Sequence, residues 1–415
     1  MKNQTSYQKI ASYEVQSGTV KKVVLLYSGG LDTSVMLKWI KDNYKAEVIT
    51  LTIDLGQQND DMEKIKAKAL RLGASKAFVI DAKKEFAEEY LARGIKANAS
   101  YQGQYHLSTP MGRPLIAKWA VKIAEQEKAD AIAHGATGKG NDQVRMEAAA
   151  LAENPKIKVI APVREWSMDR NEEIEYAREN GIEVPVKKDF PYSVDDNMWG
   201  MTWEGGEIEY PNVIPPIERF LTTYNRIENT PDKPEFVKLT FKKGLPVKLN
   251  GKALPLHTLI EKLNKIAGNH SVGVIHLTED RLIGLKSRGV YESPSAHTII
   301  EAHRALEHYV STRVLNEAKE GLDIKWAYLC YGALWKDPTM KAINAFNDSV
   351  NERVNGEVTV KLFKGHAMVV AMESPDSLDY TSFNNTEGYN FNVNASASFT
   401  EIYSLQSVLI NQKKK

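Results

Sequence analysis

With 415 residues, 42% of them hydrophobic and 26% charged, the chain is long enough for two or three domains and carries no bias toward disorder. A formal net charge of +1, from 54 basic and 53 acidic residues, makes no long-range field that would gather nucleic acid or an anionic membrane, so neither is expected as a partner. Cys330 is the only cysteine, which excludes an intrachain disulfide and a thiol-rich metal site and fits a reducing, cytoplasmic setting.

The stretch from Met1 to Val20 is polar, lacks the apolar core of a signal peptide and reads as a flexible extension over residues 1–20. No apolar run is long enough to span a bilayer. From Lys21 short apolar runs alternate with helical patterns. Val23 to Tyr27, Glu47 to Ile53 and Ala77 to Ile80 read as buried strands, with Ala131 to Ala133 and Val159-Ile160 as two later ones. Between them, Leu31, Val35 and Trp39 mark one helix face, and Ile116, Ala120 and Ile123 another. Such alternation predicts an α/β fold with a parallel sheet covered on both faces, whose ligands sit beyond the carboxyl ends of the strands.

After Glu172 the pattern loosens, and Pro191 to Pro216, rich in turn formers, reads as a binding loop. From Phe236 the signals are antiparallel hairpins: Phe236 to Phe241, a Lys243-Gly244 turn, Pro246 to Leu249 and an Asn250-Gly251 turn. A second domain therefore begins near this point. Helical patterns run from Ser295 to Val350, a further hairpin spans Val358 to Met372 around Lys364-Gly365, and a helix is expected from Ala397 to Asn411. The tail Lys413-Lys414-Lys415 reads as solvated charge.

Two loops carry the chemistry. The first, Ser28-Gly29-Gly30-Leu31-Asp32-Thr33-Ser34, follows a strand and opens a helix. Its glycines let backbone N–H groups approach a ligand, its hydroxyls add donors, and the helix directs its positive end at the same point, a combination suited to phosphate. Asp32 fits poorly with bare phosphate but well with a divalent cation between them, Mg²⁺ being the usual companion of ATP. The second loop, Gly135-Ala136-Thr137-Gly138-Lys139-Gly140-Asn141-Asp142, follows the strand Ala131 to Ala133 and precedes a helix with Arg145. It is not a P-loop, since only two residues separate its first glycine from the Gly-Lys pair where four are needed. No Gly-x-Gly-x-x-Gly follows the first strand, so NAD chemistry is not expected.

Together with Tyr105, Arg113-Pro114, His134 to Arg145, Lys158 to Pro162, Phe241 to Gly244 and Gly284 to Glu292, these loops resemble the argininosuccinate synthase family of N-type ATP pyrophosphatases, from about Lys22 to Ser404. The resemblance implies an adenine nucleotide α-hydrolase-like nucleotide-binding domain over residues 21–170, an α+β synthetase domain over 171–375 and a C-terminal oligomerisation segment over 376–415. It implies a homotetramer in the cytoplasm that joins citrulline to aspartate while ATP becomes AMP and pyrophosphate. Carried over by position, Leu26, Tyr27, Ser28, Gly29, Gly30, Leu31, Asp32, Thr33, Ser34, Ile53 and Gly135 would serve ATP. Thr137, Asn141 and Asp142 would serve aspartate, and Tyr105, Asn141, Arg145, Ser193, Thr202, Glu279 and Tyr291 citrulline, with Asp32, Asn141, Asp142 and Arg145 closest to the chemistry. No residue set for a resident metal is implied. Thr202 stands where many relatives have Ser, and Pro110 falls near a position where relatives often have a hydroxyl. Pro110 has no donor and is left out of the citrulline set, with Thr109 beside it unassigned.

Each of these residues also has a plainer reading: Glu279 and Arg145 as surface ion pairs, Tyr291 as a core aromatic, Ser193 as a cap. Rival enzymes of the same group, such as a tRNA thiolase, an amidotransferase synthetase or a NAD synthetase, differ in wanting catalytic cysteines for sulfur transfer or glutamine hydrolysis, whereas Cys330 lies in an apolar, helix-like run. A nucleotide sensor without catalysis would not need polar residues at two substrate positions.

Overall fold

Alternate residues of the first strand face opposite ways, and both faces are apolar, so the strand must be covered on both sides. The computed structural model describes residues 7–58, 61–138, 140–166, 168, 170–184, 191–378, 384–385, 388–389, 392 and 394–413. In it β1 (Lys22–Leu26), β2 (Glu47–Asp54), β3 (Lys76–Asp81), β4 (Ala131–Ala133) and β5 (Lys158–Ile160) form a parallel sheet in the order β3-β2-β1-β4-β5. Val23 and Leu25 pack with Met36, Leu37 and Ile40 of the helix Leu31–Tyr44. Val24 packs on the opposite side, in the cluster that holds Leu115 and Ala120 of the helix Ser108–Gln126. The winding reverses between β1 and β4, the place where open α/β sheets form their ligand crevice.

Two antiparallel sheets follow. One holds β8 (Glu235–Lys242), β9 (Leu245–Leu249), β10 (Lys252–Ala253), β13 (Gly356–Phe363) and β14 (His366–Glu373), in the order β10-β9-β8-β13-β14. Its hairpins are those read from the sequence. The other, β11-β12-β7-β6, joins β6 (Tyr192–Asn197), β7 (Gly200–Gly205), β11 (Val274–Asp280) and β12 (Lys286–Glu292). The stretch expected as a binding loop from Pro191 thus begins as a hairpin, and Tyr192–Asn197 pairs with Gly200–Gly205 across a two-residue turn. Helices Leu256–Asn269, Pro294–Val310, Arg313–Tyr331 and Pro338–Asn351 pack around these sheets. One apolar cluster runs from Val24 and Ile132 through Trp326 to Val358 and Leu362, so the two halves share a core.

Three further placements bear on the expectations. The helix Arg170–Glu179, which begins at the expected 170/171 boundary, packs through Ala177 against Leu31 and Val35 of the first half. Residues 7–20, expected as a flexible extension, lie against the first sheet: Glu14 bridges Val159 in parallel, and Val15 and Val20 are buried. The C-terminal helix runs over Asn394–Gln412, with Phe399, Ile402, Tyr403, Leu405 and Leu409 all exposed. Residues 1–6, Lys139, Lys414 and Lys415 lie outside the described residues.

Candidate active site

The first loop leaves β1 at the switch point. Gly29 has φ +79°, a conformation that glycine adopts freely, and a Cβ there would come within 2.9 Å of the Ile65 side chain. Gly30 is the N-cap of the helix Leu31–Tyr44 and no side chain caps it, so N–H groups of the first turn remain available to an anion. Ser28 and Thr33 place their hydroxyls 3.2 Å apart at the mouth. Ser34, also expected at the phosphates, is instead wholly buried: its hydroxyl donates to the Gly30 carbonyl at 2.6 Å and accepts from Tyr27 at 3.0 Å, which braces the loop from behind. Gly29 likewise turns away from the cavity and accepts from Lys68 Nζ at 2.8 Å through its carbonyl.

The second loop leaves β4 on the same rim. A Cβ on Gly135 would lie 2.4 Å from Met36 Cε, so the loop runs hard against the first helix. Its own helix, Asn141–Glu153, also starts without a side-chain cap, at Gly140. Between the loops lies a cavity of about 430 Å³, lined by Leu26, Tyr27, Ser28, Gly30, Asp32 and Thr33 from the first and by Gly135 and Ala136 from the second, with Ile53 at its side. It meets a second cavity of about 250 Å³, and both are lined by Asp32, Gly135, Ala136, Asp142 and Asp195. Larger hollows of about 810 and 900 Å³ occur elsewhere, but neither of the two glycine loops contributes to them, so size does not mark the site.

The smaller cavity is polar for a reason of register. Thr202 pairs with Asp195 on one side and Tyr291 on the other, and two residues along β6 and β7 Ser193 pairs with Glu204. Period-two alternation therefore puts Ser193, Asp195, Thr202, Glu204 and Tyr291 on one face, joined by Glu279 from β11. All seven residues expected for citrulline line this cavity: Tyr105, Asn141, Arg145, Ser193, Thr202, Glu279 and Tyr291. Thr137, Asn141 and Asp142, expected for aspartate, line it too.

Charge in the cavity is tightly partitioned. Asp142 accepts from Arg113 Nη2 at 2.6 Å and from Arg145 Nη1 at 2.9 Å. Burial alone would raise its carboxyl, but the charges of Arg113 and then Arg145 hold it well below the usual range. Arg113 also pairs with Asp195 at 2.9 Å. Arg145 donates to the Tyr331 carbonyl at 3.0 Å and lies over that ring at 4.6 Å, while its Nη2 is buried without a partner. Across the cavity the Tyr291 hydroxyl donates to Glu279 at 3.1 Å and its ring stacks on Tyr105 at 4.2 Å. Glu279 is only 4% exposed, and burial raises its carboxyl above the usual range. Asn141 acts as a tie: its amide donates to the Tyr331 hydroxyl at 2.7 Å and accepts from the Leu282 N–H at 2.9 Å. Asp32, exposed at the junction, pairs with Arg170.

Among the residues lining the two cavities that the sequence reading did not assign to the site are Arg113, Asp195, Glu204, Arg281 and Thr109, whose hydroxyl lies 3.2 Å from that of Thr202. Arg113 was visible only as part of a matching dipeptide, and an isolated charged residue in sequence reads as solvated. Cys330 is buried, and burial pushes its thiol up, which fits a structural thiol.

A parallel sheet with two uncapped helix starts at its switch point, opening into a polar cavity with opposed Arg and Glu groups, is the arrangement of a nucleotide-binding α/β enzyme with a polar substrate. The comparisons make this specific. Residues 22–183 match the arginosuccinate synthase N-terminal HUP domain, and residues 192–410 the arginosuccinate synthase C-terminal domain. The chain is 48% identical to the argininosuccinate synthase of Symbiobacterium thermophilum over 388 residues, 93% of this chain and 96% of that one. It is also 48% identical to that of Pyrococcus furiosus, over 94% of each chain. The chain belongs to the argininosuccinate synthase family.

Proposed function

We propose that this chain condenses citrulline with aspartate at the expense of ATP, yielding argininosuccinate, AMP and pyrophosphate, as a step of arginine biosynthesis. The observation that carries the reading is the junction of the two cavities, where Asp32, Gly135 and Asp142 border both. A nucleotide in the larger cavity brings its α-phosphate to a ureido group in the smaller one. The citrulline oxygen attacks that phosphorus and pyrophosphate leaves. The aspartate amine then attacks the ureido carbon of the citrullyl-adenylate, and AMP departs with the oxygen. Adenylation is needed because the oxygen of a urea is a poor leaving group. The protein's share is positioning and charge stabilisation, which asks for no nucleophilic side chain.

The named residues suit these tasks. Arg145, with Nη2 buried and unpartnered, is placed for the citrulline carboxylate, and Glu279 for its α-ammonium. Asp142 is placed for the aspartate ammonium, with Thr137 alongside. Arg113 borders the nucleotide cavity and is suited to phosphate once aspartate shares Asp142. Mg²⁺ would accompany ATP, and Asp32, an exposed carboxylate bordering both cavities, is suited to hold it in exchange for its pairing with Arg170. Among the described residues no group of three or more His, Cys, Asp or Glu could hold a metal ion, so the phosphates and water would complete the shell, the usual arrangement for Mg²⁺. Bound there, it would neutralise charge on the phosphates.

The exposed apolar residues of Asn394–Gln412 support assembly through this helix, which we read as a homotetramer. No helix of the described residues is long and apolar enough to cross a membrane. The lone buried thiol and the biosynthetic role support a cytoplasmic enzyme. Pyrophosphate release tests the reaction order: with ATP and Mg²⁺ alone it should be negligible and should start when citrulline is added. Release at the full rate without citrulline would exclude the mechanism.

A further inference from the structure

The residues ahead of Lys22, where the family match begins, carry no motif, yet they form part of the support behind the second loop. Along β5 the Val159 N–H donates to the Tyr13 carbonyl at 2.9 Å, and Lys158 Nζ donates to the Ser12 carbonyl at 2.8 Å. This seats Tyr13 and Glu14 beside two buried groups of the first half. The Tyr13 hydroxyl donates to Glu147 at 2.6 Å, and Glu147 accepts from His134 Nε2 at 2.9 Å. The other nitrogen of His134, Nδ1, accepts the Ala136 N–H at 3.2 Å. Glu147 thereby fixes the tautomer that lets His134 hold the loop backbone. In parallel, Glu14 pairs with Arg164 at 3.5 Å, Arg164 donates to Gln143 at 3.1 Å, and Gln143 donates to the Gly138 carbonyl at 2.6 Å. Arg164 also pairs with Glu147 at 2.7 Å, which ties the two chains of contacts together.

We propose that Tyr13 and Glu14 are positioning residues for the loop 134–138, holding it at the Ala136 N–H through Glu147 and His134 and at the Gly138 carbonyl through Arg164 and Gln143. The loop needs such support because its glycines give its backbone wide freedom, and it carries Thr137 to the substrate cavity and leads into Asn141 and Asp142. Neither positioning residue lines the cavities. Holding the loop in place before the amino acid arrives removes an ordering cost from binding. The inference rests on the proposed reaction for its kinetic readout and on the loop itself for a second.

The test uses the full chain with Tyr13→Phe and Glu14→Gln combined, changes that remove one hydroxyl and one charge while keeping the backbone pairing with β5. The expected result is a rise of about five- to tenfold in the KM for aspartate, the size of one lost hydrogen bond, with a smaller rise in the KM for ATP, whose cavity also borders Gly135 and Ala136 of this loop. Backbone hydrogen exchange at Ala136 and its neighbours should quicken, while that of β1 and β4 stays as in the wild type. Unchanged aspartate KM and unchanged exchange at 134–138 would overturn the proposal, as would equal rises for every substrate with faster exchange throughout the sheet. If the wild type itself made no argininosuccinate, the reaction would be refuted, and exchange at Ala136 would still decide on the support.

Discussion

Asp142 and Arg145 show how one pair of side chains can be both a lock and a receptor. In the described state Asp142 is neutralised by two guanidiniums, so an incoming ammonium joins an existing cluster rather than a bare carboxylate. Removing the Asp142 side chain outright would leave Arg145 without its carboxylate and Arg113 with Asp195 alone, so Asp142→Asn, which keeps the volume and an acceptor oxygen, is the better probe. It should raise the KM for aspartate about 10- to 100-fold with that for ATP nearly unchanged, measured by steady-state kinetics. An aspartate KM equal to that of the wild type would remove Asp142 from the amine site. Glu279 offers a pH signature. Burial raises its carboxyl, so as pH falls from neutral it takes up a proton sooner than an exposed glutamate and loses its hold on an ammonium. The KM for citrulline should therefore climb toward acid pH, starting above the ordinary carboxylate range. Glu279→Gln should be high and flat, and parallel profiles would contradict the role. Linkage runs the opposite way for stability: the contribution of protonated Glu279 is present below its unfolded value and lost as pH rises through the folded one.

At the scale of elements, what could be read in advance depended on which side of a strand meets apolar packing. β1 and β4 were legible because Val23 to Leu25 and Ala131 to Ala133 are buried on both faces. β11 and β12 were not: Thr278, Glu279, Ser287 and Arg288 interrupt any alternation, because one face of that sheet lines a polar cavity and the apolar face is incomplete. The hairpin Tyr192–Gly205 was hidden for the same reason. Site residues carried by glycine loops could be located from spacing, whereas Arg113 and Asp195 became visible only once burial paired them across β6 and the helix Ser108–Gln126. Residues 7–20 read as free chain because their contacts are distant in sequence and their buried apolar residues too few to make a pattern, Val15 and Val20 joining the first core while Tyr13 reaches Glu147. The first loop also yields a prediction. Gly29→Ala forces a side chain onto a positive φ and toward Ile65, at a cost of about 1–2 kcal/mol. Chemical unfolding should register that loss, and the KM for ATP should rise more than the KM for either amino acid; equal shifts in all three would mean that the loop does not serve the nucleotide.

For the whole molecule, the parallel sheet supplies the nucleotide rim, the β6-β7-β12-β11 sheet supplies the amino-acid face, and a continuous core holds the two in fixed relation. The C-terminal helix stands apart, since Phe399, Leu405 and Leu409 are exposed among the described residues. Exchanging these three for Ser should lower the mass seen by light scattering from that of the assembly toward a single chain; an unchanged mass would place the interface elsewhere. The central claim is that the ureido oxygen of citrulline becomes bonded to the innermost phosphorus of ATP, and isotope transfer tests it most directly. Citrulline labelled with ¹⁸O in its ureido group is incubated with the enzyme, ATP, Mg²⁺ and aspartate, and the products are weighed by mass spectrometry. The expected result is AMP carrying the heavy oxygen, formed one for one with argininosuccinate; AMP without the label, or ADP and phosphate in its place, would contradict the mechanism.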